Sequence, residues 1–307
     1  MNIKIGRYVV ELTNEQRPLF GKNGSTKGDL IAYYRDVAPV MLPHVKNRLI
    51  TLQRFPHGID QEGFFQKDAA AYFPSWVARC AVEKKEGGFV NYVVIKNTAT
   101  IVYLANQACI TLHAGLSRID KLEYPDRIIF DLDPSGKDFY QVQKAALQLR
   151  DIIESIGLTP FVMTTGSRGL HVVVPITRTY NFDTVRAFAK DIAQVIVQQN
   201  PQHLTVVFSK KARKGKIFVD ILRNACGQTG VAPYSVRPIS GAPVATPISW
   251  SELPNKNLIS QQYTMATITK RLAQHGDPWK DIHVHAGSVR TARAKFKKLY
   301  GHELKSE

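Results

Sequence analysis

Two aspartates stand one residue apart in Arg127-Ile128-Ile129-Phe130-Asp131-Leu132-Asp133-Pro134-Ser135. The apolar run predicts a buried strand. Side chains alternate along a strand, so Asp131 and Asp133 share a face near its end. Pro134 stops the ladder just beyond them. Two bare carboxylates that close repel and lose hydration unless a cation lies between them. A divalent metal meets that need. A third carboxylate, Asp220, sits alone in a second apolar run, Lys216-Ile217-Phe218-Val219-Asp220-Ile221-Leu222. An acidic pair at a strand end also serves as a turn or a helix cap, so neither run decides alone. The chain carries 41 Lys and Arg against 25 Asp and Glu, a net charge of +16. Carboxylates in so basic a chain point to metal-assisted chemistry on a phosphate-rich polymer.

Other residues suit the same substrate. The turn Thr165-Gly166-Ser167-Arg168-Gly169 places a hydroxyl and a guanidinium at a tip where glycines let the backbone come close to a ligand. An ordinary polar hairpin tip reads the same way. His171 follows in the next strand, as a core histidine or a site residue. The basic run Ser209–Lys216 precedes the Asp220 strand and would meet a phosphate backbone well. Arg54, Phe64, Phe65 and Lys67 interleave basic and aromatic groups able to stack on bases. Arg223 and Arg237 lie in the Pro-rich stretch after Asp220, and arginines there can take phosphate oxygens bidentately. His283 and His285 have strand metal-pair spacing but no third ligand in the sequence around them.

The elements that must position these groups alternate between strands and helices, which makes the chain α/β and layered. Residues 3–12 read as a strand pair. Thr26, with Asp29 three residues on, caps a helix through Leu30, Tyr34, Val37 and Met41 that Pro39 should end or kink. Residues 49–55 and 89–95 read as strands, with a charged hairpin tip at 83–88. Asn97 or Thr98 opens a long apolar helix through Leu112, with Cys109 in its core and His113 at its C-terminal end. A helix from Phe139 to Ile156 ends on Gly157, strands follow at 160–165 and 170–176, and another helix carries Val185 to Ile196. Residues 224–249 have little periodicity, as functional loops often do. Ser249-Trp250-Ser251-Glu252 looks like a capping-box helix start, and residues 286–307 look like a basic tail.

Bulk properties narrow the field. At 307 residues, 44% hydrophobic, the chain can build one large core or two packed ones. No stretch approaches the roughly 20 apolar residues of a membrane span. The N-terminus has no signal-peptide pattern, and Cys80, Cys109 and Cys226 form neither a zinc motif nor a disulfide frame. A cytoplasmic protein with reduced thiols is expected.

Taken in order, these motifs resemble the polymerase domain of bacterial DNA ligase D, within the archaeo-eukaryotic primase superfamily. The resemblance runs from Glu11-Leu12-Thr13-Asn14 to Asp277-Pro278-Trp279. It rests on Phe64-Phe65-Gln66-Lys67, Leu104-Ala105-Asn106, Ile129-Phe130-Asp131-Leu132-Asp133-Pro134 and Gly169-Leu170-His171-Val172. Phe218-Val219-Asp220, Ala232-Pro233-Tyr234-Ser235 and Thr246-Pro247-Ile248-Ser249-Trp250 extend it.

The resemblance implies a primase-polymerase fold over 1–280, layered sheets with flanking helices, and a basic C-terminal tail over 281–307. It implies addition of ribo- or deoxynucleotides to 3′ ends at DNA gaps and double-strand breaks, in non-homologous end joining, with two Mn2+ or Mg2+ ions. By position, Asp131, Asp133 and Asp220 would hold the metals. Phe65 would stack near the incoming base, with His113, Thr165, Ser167, Arg168 and Arg237 around the nucleotide. Lys27 and Arg17 would grip a downstream 5′-phosphate. The family usually has Lys where this chain has Arg17 and Arg168, which keeps the charge and changes its geometry. Implied partners are DNA ends and gapped duplex with a 5′-phosphate, nucleoside triphosphates, Ku and a DNA ligase. No membrane is implied, and the setting would be the nucleoid of a bacterium or archaeon.

Two other classes compete. Asp131-x-Asp133-x-Ser135 also resembles the haloacid dehalogenase signature of metal-dependent phosphohydrolases. That fold needs a late acidic pair on one strand, whereas Asp220 stands alone, and a small-molecule phosphatase has no use for a charge of +16. A non-catalytic end-binding module would not need three carboxylates.

Overall fold

A computed structural model of the protein describes residues 1–84, 86–136 and 138–301. Lys85 of the expected hairpin tip and residues 302–307 of the expected tail lie outside the described residues. A hairpin of β1 (Asn2–Ile5) and β2 (Tyr8–Glu11) precedes helix α1 (Lys27–Val45). Then come β3 (Leu49–Arg54), β4 (Phe64–Gln66), β5 (Arg79–Glu83), β6 (Phe89–Val94), α2 (Thr98–Asn106) and β7 (Cys109–Gly115). The aspartate strand β8 (Arg127–Asp133) leads into α3 (Phe139–Ser155), β9 (Phe161–Thr164), β10 (Leu170–Pro175), α4 (Phe182–Gln199), β11 (Leu204–Thr205) and β12 (Ile217–Asp220). The strands β13 (Thr229–Val231) and β14 (Thr246–Ile248) and the helices α5 (Ile268–His275) and α6 (Val289–Tyr300) follow.

The chain forms two compact units. The first comprises Met1–Asp120, Thr229–Thr246 and Tyr263–Asp277. Its main sheet runs β13-β7-β3-β6-β5, with β4 added on β3. Leu30, Tyr34, Val37 and Met41 of α1 and Ile101 and Leu104 of α2 are buried in its core with Ile50 and Leu52 of β3. The second comprises Lys121–Gln228, Pro247–Gln262 and the chain from Pro278 onward. Its sheet runs β11-β12-β8-β10-β9-β14, so the aspartate strand lies inside the sheet and its apolar residues are buried. Helices α3 and α4 pack on it through Val142, Ala146, Leu149 and Ile153, and through Val185, Phe188, Ala189 and Ile192.

Four local expectations are corrected. Helix α1 runs through both Pro39 and Pro43 to Val45. Both prolines are on its exposed side, so the carbonyls they leave unbonded face water. The Thr26–Asp29 capping box is present as expected. The apolar helix from Thr98 stops at Asn106, not at Leu112. Ala108 adopts a left-handed φ of 55°, and Cys109–Gly115 becomes a strand. Asn106, the last helical residue, ties down the N-terminal segment: its amide donates to Glu11 O at 2.8 Å and accepts from Thr13 N at 3.1 Å. Cys109 and Thr111–Ala114 then pair with β3, so His113 is a strand residue. At Ser249, the Glu252 carboxylate does accept the Ser249 N–H at 2.7 Å. No helix follows, because Pro254 interrupts the segment and it stays in turns. Finally, the expected tail carries α6, whose Phe296 packs edge-on against Phe188 with ring centres 5.8 Å apart.

Among the described residues, no helix is long and apolar enough to cross a membrane.

Candidate active site

In the second unit, sheet register sets the site. Across β8, Asp131 is paired with His171 on β10 and with Asp220 on β12. Asp133 lies two residues on, opposite Phe218. Backbone pairing therefore gathers three carboxylates from two strands at one end of the sheet, as their sequence positions suggest.

Each carboxylate is held by the protein itself. His171 Nε2 lies 3.6 Å and Arg223 Nε 3.5 Å from the two oxygens of Asp131. Arg168 Nη2 lies 3.1 Å and Arg213 Nη1 3.4 Å from those of Asp133. Asp220 Oδ1 accepts the Leu222 N–H at 2.7 Å. Burial works to raise the Asp131 carboxyl, yet His171 and Arg223 outweigh it and hold it below the usual carboxylate range. Asp220 is raised, chiefly by burial and further by the Asp131 charge, against the pull of the Leu222 N–H. In this arrangement, no three His, Cys, Asp or Glu side chains among the described residues are gathered closely enough to hold a metal. The strands bring the carboxylates together while their side chains turn towards arginine and histidine. Three oxygen donors, one of them raised partly by another's charge, suit a hard divalent ion.

Beside them, Thr165 and Arg168 flank the turn between β9 and β10. Thr165 is buried, and its hydroxyl lies 3.1 Å from Gly169 O and 3.2 Å from Gly169 N. Ser167 is half-buried at the tip, and the Arg168 side chain is 59% exposed. Gly169 is required here: a Cβ would stand 2.1 Å from Leu132 O.

The first unit carries the remaining candidates. Phe65, 62% exposed on β4, stands edge-on to His113 of β7 at 5.6 Å. The segment leading to Arg237 is braced to β7: Thr111 Oγ1 donates to Val236 O at 2.7 Å, and Leu112 N donates to Ser235 Oγ at 2.7 Å. Lys27 is buried, its ammonium donating to Thr13 Oγ1 and Asn106 O, both at 3.0 Å. Burial, then the neighbouring Arg17 charge, lowers its pKa, against the opposing pull of Glu15. Arg17 and Lys22 line a cavity of about 380 Å³ with His57 and Asp60, and Arg17 Nη1 donates to Pro56 O at 2.7 Å.

Sequence reasoning did not single out His57, Ser260 or Gln261, and it read Arg223 and the basic run holding Arg213 as phosphate contacts, not as partners of the aspartates. Arg213 hides in a run that reads as a solvated basic turn, yet its side chain is 7% exposed and lies over the Phe218 ring at 4.0 Å. A basic residue just before a suspected ligand strand was the available signal.

A family model described as "LigD, primase-polymerase domain" matches residues 26–279. The chain belongs to this family. Members are metal-dependent nucleotidyltransferases of the archaeo-eukaryotic primase type. The LigD multifunctional non-homologous end joining DNA repair protein of Mycobacterium tuberculosis is 34% identical over 279 residues, covering 87% of this chain and 36% of that protein. The bifunctional LigD protein of Bacillus subtilis is 30% identical over 276 residues, covering 89% of this chain and 44% of that one. The chain thus spans less than half the length of these relatives. Among solved structures, the polymerase domain of Mycobacterium tuberculosis ligase D in complex with DNA matches with a TM-score of 0.85 and 33% identity. The match covers 90% of this chain and 99% of that one. The layered α/β fold expected from the motifs is the LigD polymerase fold. The haloacid dehalogenase reading finds no support.

Proposed function

We propose that the chain extends 3′ ends at DNA gaps and double-strand breaks, adding ribo- or deoxynucleotides in non-homologous end joining. One observation carries this reading: Asp220 stands opposite Asp131 across β12 and β8, with Asp133 on the same strand two residues on. Asp131, Asp133 and Asp220 would hold two divalent ions, Mn2+ or Mg2+. Bound there, such ions would lower the pKa of a primer 3′-hydroxyl and stabilise the pyrophosphate leaving group.

The other residues bind and orient. Arg168, exposed at its tip, is able to leave Asp133 and take phosphate oxygens bidentately. Ser167 offers a hydroxyl to the sugar, and Thr165 shapes the turn behind it. Phe65 gives the incoming base a stacking surface, with His113 and Arg237 as further nucleotide contacts. Lys27 and Arg17 would grip the 5′-phosphate of the downstream strand, with Lys22 and His57 lining the cavity beside Arg17. The implied partners are gapped duplex with a 5′-phosphate, nucleoside triphosphates, Ku and a DNA ligase, on the nucleoid of a bacterial or archaeal cytoplasm.

The test is incubation with a gapped primer–template, Mn2+ and nucleoside triphosphates. The expected product is one or more nucleotides longer than the primer. Phosphomonoester hydrolysis without extension would favour a phosphohydrolase, and DNA binding with neither activity an end-binding module.

A further inference from the structure

The turn 165–169 is held from within and from outside. Gly169 O accepts from Thr165 N at 3.1 Å, which closes the turn. The same carbonyl takes Ser260 Oγ at 2.9 Å. Ser260 Oγ also lies 3.2 Å from Thr165 Oγ1, and Ser260 is only 4% exposed. Next to it, Gln261 Nε2 donates to Ser167 O at 2.9 Å, on the exposed side of the turn. One segment, distant in sequence, thus hydrogen-bonds the turn at both its base and its tip. Ile259, Ser260 and Gln261 also line a cavity of about 240 Å³ shared with Ser167 and Arg168.

We propose that Ser260 and Gln261 are positioning residues that hold the 165–169 turn in the shape that presents Ser167 and Arg168 to the incoming nucleotide. This inference rests on the reading that the turn meets the nucleotide. Ser260 acts at the base. Its two contacts keep the Thr165 hydroxyl on Gly169, which leaves the Ser167 hydroxyl as the turn's outward group. Gln261 acts at the tip: its bond to Ser167 O fixes the peptide that carries Arg168. Neither side chain needs to touch substrate. A loosened turn spends less time with Arg168 placed, so apparent nucleotide affinity falls while the metal-bearing strands stay as they were.

The experiment measures nucleotide KM and kcat for gap filling, with DNA affinity and melting temperature, in wild type and in Ser260→Ala, Ser260→Thr, Gln261→Ala and Arg168→Ala. Each single brace variant should raise nucleotide KM about fivefold, the usual worth of one hydrogen bond, with DNA affinity unchanged. Ser260→Thr keeps the hydroxyl and should restore most of the affinity. Gln261 is exposed, so Gln261→Ala reports on the tip even if Ser260→Ala folds poorly. In the double variant Arg168→Ala, Gln261→Ala, the two effects should not multiply, since one acts through the other. If Arg168→Ala leaves nucleotide KM unchanged, the reading of the turn fails and the brace with it. If Arg168→Ala raises KM but Gln261→Ala does not, or the two effects multiply, the turn reading stands and the brace is wrong.

Discussion

Asp220 faces Asp131 directly across the pairing of β12 with β8, yet the two carboxylates are treated differently. Asp131 has two nitrogen partners, His171 at 3.6 Å and the Arg223 guanidinium at 3.5 Å, and is held low. Asp220 has one backbone N–H at 2.7 Å and is held high, by burial first and by Asp131 as well. Asp220 feels the Asp131 charge ahead of those of Arg223 and Arg213, so the two carboxylates sit in unequal surroundings. That imbalance is what an incoming cation would relieve.

Replacing either residue by Asn separates the catalytic from the structural role. Asp131→Asn and Asp220→Asn should each abolish primer extension, while DNA affinity at fixed salt stays within about twofold because it rests on Lys and Arg elsewhere. In metal-free buffer, Asp220→Asn keeps an oxygen for the Leu222 N–H and removes a half-buried charge beside Asp131, so its melting temperature should match or exceed wild type. Extension at the wild-type rate by Asp220→Asn, measured by gel electrophoresis of labelled primer, would falsify the role of this corner.

Cys109 gives a pH-dependent signal in the first unit. It is fully buried in β7, and burial pushes its thiol up to about 12. An unfolded thiol ionises near ~8.5. The folded chain thus keeps a proton that the unfolded chain releases. Its contribution to stability is complete below the unfolded value and is lost progressively as pH rises towards the folded one. Iodoacetamide at pH 9.5 should label the exposed Cys226 and spare Cys109 until denaturant is added, as read by peptide mass spectrometry. Rapid labelling of Cys109 in folded protein would contradict its burial.

Local pattern alone was enough to place the aspartate strand, the capping box of α1 and the helices α3 and α4. Each is set by local chemistry: an apolar run, a Thr–Asp pair, a 3.6-residue stripe. The segment after Thr98 was not legible, because its apolar pattern suits a helix or a buried strand equally. Pairing with β3, more than fifty residues earlier, decides it. For the site, residue types marked the carboxylates, but not which cations hold them. Arg213 and Arg223 read in sequence as contacts for phosphate, and their pairing with Asp133 and Asp131 depends on how the segments flanking β12 lie against β8. Ser260 left no local mark at all, since its partners lie 91 and 95 positions away.

Sugar discrimination should separate the two hydroxyls of the turn. The Thr165 hydroxyl is buried among Gly169 and Ser260, whereas Ser167 is half-buried at the tip and is held there through its backbone by Thr165 and Gln261. A ribose 2′-hydroxyl can bond Ser167, and deoxyribose lacks that group. Ser167→Ala should narrow any rate advantage of ribo- over deoxynucleotides by about fivefold, the worth of one hydrogen bond. Thr165→Val should raise KM for both sugars alike. The comparison is single-nucleotide insertion kinetics with each triphosphate, and an unchanged ratio in Ser167→Ala would place discrimination elsewhere.

The 5′-phosphate prediction turns on exposure. Lys27 has two of its three ammonium N–H groups bonded to Thr13 and Asn106 and is 4% exposed, so it offers a phosphate at most one donor from a buried position. Arg17, Lys22 and His57 instead line an open cavity on the same unit. A terminal phosphate carries more charge than an internal one, so gapped DNA with a 5′-phosphate should bind more tightly than the same DNA with a 5′-hydroxyl. A charge-assisted contact contributes roughly 1.5–3 kcal/mol, about ten- to a hundredfold. Arg17→Ala should erase most of that preference and leave affinity for 5′-hydroxyl DNA nearly intact, with little change in melting temperature. Lys27→Ala should behave differently: it removes a buried cation with two protein acceptors, so the melting temperature falls whether or not the phosphate preference does. Both DNAs are titrated against wild type, Arg17→Ala and Lys27→Ala at one salt concentration, with thermal melts alongside. A phosphate preference that survives Arg17→Ala but disappears in a fully stable Lys27→Ala protein would move the phosphate from the cavity to the lysine.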